Sequence, residues 1–127
     1  MKEKVMAYEK AGFVQGDPSA NKTLLARTDG VTTRKVTILA GRVLDAGAVL
    51  GKITTGGKYI LSLSAASDGS QAPDMVLAQD VDASAEDIEA IAYETATVVA
   101  SALTIGTGHT LDSIREGLRV KGITIDD

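Results

Sequence analysis

Glycine breaks the middle of this chain into pieces too short for helices. Between residues 34 and 63 it stands at positions 41, 47, 51, 56 and 57. A glycine inside a helix costs about 1 kcal/mol relative to alanine, so repeated glycines argue against helical structure. The pieces between them read as strands. Val36, Ile38 and Ala40 alternate with Lys35, Thr37 and Leu39, the period-two pattern of a strand with one buried face. The segment from Gly41 to Gly47 is expected to turn the chain, and residues 48–54 form the next strand. Gly56-Gly57 marks a tight hairpin, because paired glycines accept the positive φ angles of primed turns. Residues 58–63 supply the partner strand.

The flanking regions follow different rules. Residues 1–33 carry Gly12, Gly16, Pro18, Asn21 and Gly30 among charged residues, which leaves no room for a long element. They are expected to form a flexible N-terminal arm, and residues 34–127 a single β-rich domain. Two apolar islands interrupt the arm, Phe13-Val14 and Leu24-Leu25-Ala26. Each can pack on the subunit's own core or anchor a partner. Beyond the hairpin, residues 64–74 form a polar loop and residues 75–78 a short buried strand. A turn is expected near residues 84–87, with strand through most of 88–100, because Thr95, Thr97, Val98 and Val99 are β-branched. One helix is expected near the C-terminus. Thr110 can cap it, Asp112 adds negative charge to its first turn, and Leu111, Ile114 and Leu118 share one face. Gly122 stands where it ends, and Ile123 and Ile125 alternate with polar residues as a last strand.

Composition limits what such a fold can do alone. Apolar residues make up 44% of the chain, yet the only aromatics are Tyr8, Phe13, Tyr59 and Tyr93. Aromatic side chains bury the most area per residue, so a thin core that gains stability from self-association is expected. The net charge is −4 with basic residues scattered, which argues against nucleic acid or an anionic membrane as partner. The absence of cysteine excludes disulfides and thiolate chemistry. No long apolar run or signal-like N-terminus is present, which predicts a soluble protein that is not exported.

The catalytic inventory is poor, and neither a catalytic residue nor a cofactor is expected. His109 is the sole histidine and has no orienting partner nearby in sequence, so it reads as an ordinary histidine leading into the helix. Asp80, Asp82, Glu86 and Asp87 lie close together, but no calcium-type loop follows them, so they read as a solvated turn. The glycines fit neither a Walker pattern nor a dinucleotide-binding turn. Ser101 and Ser113 have no histidine or lysine partner that sequence identifies.

Several blocks nevertheless occur in a telling order. The stretch Val36-Thr37-Ile38-Leu39-Ala40-Gly41-Arg42-Val43-Leu44-Asp45-Ala46-Gly47-Ala48-Val49-Leu50-Gly51-Lys52-Ile53-Thr54 is followed by Gly57-Lys58-Tyr59, Ala65-Ala66-Ser67-Asp68-Gly69-Ser70 and Leu77-Ala78-Gln79-Asp80-Val81-Asp82-Ala83. Val99-Ala100-Ser101-Ala102-Leu103-Thr104 comes later. Across roughly residues 33–105 this order resembles the lambda-type bacteriophage head decoration proteins.

The resemblance implies a mainly β, β-clip-like small barrel or sandwich with one short C-terminal helix and an extended N-terminal arm. It implies a non-enzymatic homotrimer, made in the host cytoplasm, on the outer surface of an expanded capsid. There it would occupy three-fold positions and resist the pressure of packaged DNA. The arm would order on the major capsid protein, with Tyr8, Phe13 and Val14 as its contacts. The same glycine-spaced turn also resembles β-clip modules that handle small molecules or carbohydrates, the main alternative. Biotinyl-type carriers share the look but need a Met-Lys turn between strands, and the sole Met-Lys here is at positions 1–2. A trimeric β-protein from another viral part is a further alternative.

Overall fold

A computed structural model of the chain describes residues 24–127. In chain order the elements are β1 (Thr32–Ile38), β2 (Arg42–Leu44), β3 (Val49–Lys52), β4 (Tyr59–Leu61), β5 (Pro73–Leu77), β6 (Val81–Ala83), β7 (Ile88–Val99), α1 (Leu111–Lys121) and β8 (Ile123–Asp126). A short 3-10 turn at Ala100–Ala102 follows β7.

Five of the strands close on themselves. The order β1-β4-β3-β5-β7 returns to β1 through an antiparallel β1–β7 ladder, so the sheet is a small closed barrel. Closure removes the exposed edges an open sheet would leave. The parallel β1–β4 seam is short, with Ile38 opposite Tyr59, and is extended by Leu39 N donating to the Tyr59 carbonyl at 3.1 Å. The β3–β4 hairpin forms as the paired glycines predict. Gly56 and Gly57 have φ of 93° and 74°, and Ile53 N donates to the Lys58 carbonyl at 2.8 Å.

Alternation along the strands sorts the apolar residues into two cores. Val36, Ile38, Leu50, Tyr59, Met75, Leu77, Ala90 and Ala92 belong to one buried cluster inside the ring. A five-stranded ring is narrow, which explains why β7 contributes alanines there. Val49 and Val76 point the other way, into a second cluster with Ile114 and Leu118 of α1 and Ile123 and Ile125 of β8. Burying each such aliphatic side chain stabilises the fold by about 1.5–3 kcal/mol.

One extra residue lets β7 serve both clusters. Thr33 pairs with Tyr93 and Thr32 with Thr95, so Glu94 is left without a partner, a β-bulge. Before it, Ala90 and Ala92 face the ring; after it, Ala96 and Val98 face the second cluster, as Tyr93 does. Without the bulge, residues 96 and 98 would share the face of Ala90 and Ala92.

The helix follows its sequence signals. Ser113 N donates to Thr110 Oγ1 at 3.2 Å and Thr110 N donates to Ser113 Oγ at 2.9 Å, a reciprocal cap. Gly122 ends the helix in the left-handed region at φ 104°.

One expectation needs correction. The segment from Gly41 to Gly47 is not only a turn, because it contains β2, which pairs antiparallel with β6 as a separate two-stranded sheet. Leu44, Val81 and Ala83 of this pair join the ring cluster, which is what holds it there. The first strand of the barrel, β1, begins at Thr32. Leu24 is 9% exposed and belongs to the second cluster. Val99 N donates to the Leu24 carbonyl at 2.8 Å, and Ala26 N donates to the Thr97 carbonyl at 2.8 Å. For Leu24-Leu25-Ala26, the reading that packs on the subunit's own core therefore holds. The remainder of the expected arm, with Tyr8 and the Phe13-Val14 island, lies outside the described residues.

Candidate functional site

Three groups of polar side chains could carry chemistry, and each has a visible task. The first surrounds His109. Its Nε2 lies 2.9 Å from the Gln71 carbonyl oxygen and 3.1 Å from Ser62 Oγ, and its Nδ1 lies 3.0 Å from Ser113 Oγ. A carbonyl only accepts, so the hydrogen-bond pattern assigns a proton to Nε2. On the other side of the ring, Ser113 Oγ faces Nδ1. The ring thereby ties the end of β4, the loop that precedes β5 and the cap of α1 together.

Sequence reasoning missed these partners. Ser62 and Gln71 are remote in the chain and come near only when the barrel closes. Ser113 is four residues on, a spacing that crosses the cap and could have been read. Its oxygen also accepts from Thr110 N, and its hydroxyl lies 3.0 Å from the Thr110 carbonyl.

The second group is the acidic segment. Asp80 Oδ1 accepts from Ala46 N at 2.8 Å. Asp82 Oδ1 accepts from Ser84 N at 3.1 Å and from Ser84 Oγ at 2.6 Å. Asp87 accepts from Ala40 N at 2.8 Å and from Lys58 Nζ. Hydrogen bonds from Ser84 hold the Asp82 carboxyl below its ordinary pKa, and the bond from Lys58, then that from Ala40 N, do the same for Asp87. Asp82 thus serves its own turn, while Asp80 and Asp87 hold backbone amides distant in sequence. Among the described residues no three His, Cys, Asp or Glu side chains are grouped to hold a metal ion.

The third group lines a groove of about 280 Å³ on the barrel wall, bounded by Arg34, Lys52, Tyr59, Asp74, Glu94 and Lys121. Arg34 pairs with Glu94, and Lys121 Nζ lies 3.5 Å from Asp74 Oδ1. Tyr59 Oη donates to Asp74 Oδ2 at 3.2 Å. Burial, then the Asp74 charge and this hydrogen bond, push the Tyr59 phenol up to about 12. Tyr59 is 5% exposed, so its ring offers the groove no stacking surface. Met75 also lines the groove, which is otherwise mainly polar, unlike the apolar and aromatic pockets that hold most small molecules.

The predicted contacts Tyr8, Phe13 and Val14 lie outside the described residues. The structure does fix the point at which the segment carrying them joins the barrel. Leu24 and Leu25 run antiparallel to the end of β7, with Leu25 opposite Val98, while β8 flanks the other side of β7.

Comparison with known proteins supplies the family. None of the curated proteins matches the chain. A family model does, over residues 14–121, a span that takes in Val14, the whole barrel and α1 and so exceeds the resemblance visible by eye. The chain belongs to the family of the bacteriophage lambda head decoration protein D.

Proposed function

We propose that this chain is a structural, non-enzymatic virion protein that binds the outer surface of an expanded phage capsid as a homotrimer at three-fold positions. It stabilises the shell there against the pressure of packaged DNA. The family match over residues 14–121 carries the reading. The polar groups described above support it, since His109 and the acidic segment hold the fold together.

In this proposal Tyr8, Phe13 and Val14 contact the major capsid protein, and the docked residues 24–26 hold their segment to the barrel. A segment that orders on binding loses conformational entropy, which weakens each contact taken singly. Joining three copies makes the second and third engagements intramolecular, which raises avidity by about 10²–10⁴ without new contacts. The net charge of −4 suits a site outside the shell, away from DNA.

Light scattering and head binding test the proposal together. The purified protein is expected at three times 13.1 kDa and to sediment with expanded heads. Deleting residues 2–16 is expected to abolish head binding while the mass stays trimeric. Undiminished binding by the truncated protein removes Tyr8, Phe13 and Val14 as the main contacts. Failure of the full chain to bind heads overturns the reading itself.

A further inference from the structure

The barrel closes its own edges, but β8 stands outside it. That strand pairs with β7 on one side and with no other strand among those described. The phase of its free edge follows from one bond. Ala96 N donates to the Gly122 carbonyl at 3.4 Å, and in a parallel ladder this turns the amide groups of Thr124 toward β7. The N–H and C=O groups of Ile123 and Ile125 therefore point away from the sheet. A row of outward amides is a template for another strand.

Two of the usual edge protections are missing from β8 itself. Its sequence, Ile123-Thr124-Ile125-Asp126, contains neither proline nor lysine. Pairing along the edge would leave the core intact, because the Ile123 and Ile125 side chains already face the second cluster. Two antiparallel copies of β8 centred on Thr124 would exchange amide hydrogen bonds between Ile123 of one copy and Ile125 of the other. Asp126 would then oppose Gly122, so no like charges would meet.

One side chain stands in the way. Arg115, on α1, donates from Nη1 to the Ile125 carbonyl at 3.1 Å. That carbonyl is the acceptor the second copy would need. Nη2 of the same guanidinium donates to Asp127 Oδ2 at 2.7 Å, which fixes the group over the end of the strand. We propose that Arg115 is an edge guard: by occupying the Ile125 carbonyl it prevents β8 from pairing with β8 of a second copy of this chain.

Light scattering across a concentration series, comparing the full chain with its Arg115→Ala variant, tests this. The variant is expected to reach at least twice the wild-type mass, doubling from a monomer and growing further from a trimer with three β8 edges, so a rise is expected with or without the proposed trimer. Amide hydrogen exchange at Ile123 and Ile125 is expected to slow in the variant as concentration rises. An Arg115→Met variant keeps the aliphatic stem and removes only the donors, and it answers the question if the alanine variant loses its fold. A folded variant with wild-type mass overturns the proposal. A rise in mass without slower exchange at Ile123 and Ile125 overturns it too, because association would then use another surface.

Discussion

A Cβ placed on Gly51 would lie 1.9 Å from the carbonyl oxygen of Ser70, so the loop carrying Ser70 rests directly on the backbone of β3. Ser70 is fully buried there, and its hydroxyl donates to Asp68 Oδ1 at 2.5 Å. Gly51→Ala must lift the loop or bend the strand. Overpacking of this kind costs about 1–3 kcal/mol. Urea denaturation is expected to show the loss as a lower midpoint with an unchanged slope. A wild-type midpoint would mean that the loop yields freely.

The contacts of His109 predict a non-additive pair. Ser62 is fully buried, and among the described residues its hydroxyl meets the His109 ring. His109→Ala leaves that hydroxyl without the ring as partner, at about 1–3 kcal/mol. Ser62→Ala in the same background removes the stranded group and is expected to recover part of the loss. A double-mutant cycle by denaturation measures the coupling, and strict additivity would show that the two side chains do not depend on each other.

Tyr59 predicts an alkaline limit to stability. Its folded pKa of about 12 exceeds the ordinary tyrosine value of about 10, so the folded state holds this proton more tightly than the unfolded one. The contribution is complete below pH ~10 and is lost as pH rises through about 12. Absorbance titration of the folded protein should show one tyrosine ionising late. Tyr59→Phe is expected to remove that step and to flatten the fall in stability over the same window.

Asp87 predicts the opposite behaviour in acid. The bond from Lys58 holds its carboxyl below the ordinary value, so the stability it contributes is present above pH ~4 and is lost as pH falls through the lower folded pKa. In Lys58→Met the Asp87 midpoint, followed by NMR, is expected to move up toward that of a free aspartate. The stability gap between the variant and wild type should narrow as the solution is acidified. A midpoint unmoved by the substitution would assign the shift to Ala40 N alone.

What the sequence reveals here depends on whether a signal is local. The β3–β4 hairpin and α1 were legible because Gly56-Gly57, Thr110 and Gly122 act on their own neighbours. β7 was legible from its β-branched run. β2 was not, because Arg42-Val43-Leu44 is short, lies between glycines, and becomes a strand only when β6 arrives beside it. The bulge at Glu94 was equally hidden, since an extra residue has meaning only against the register of β1. The environment of His109 was missed for the same reason: Ser62 and Gln71 approach it through the folded barrel. Tyr8, Phe13 and Val14 rest on the family resemblance, which supplies their role without their geometry.

The position of β7 also bears on how the chain folds. Its neighbours are residues 24–26, β1, β5 and β8, drawn from both ends of the described chain and from its middle. Few of these contacts are local, and topologies dominated by distant pairings fold slowly because loop closure precedes the reward of contact. A nascent chain that has reached β6 still lacks the strand on which the ring closes. Its apolar strands must wait for β7, so the ring cannot close until synthesis has passed Thr95.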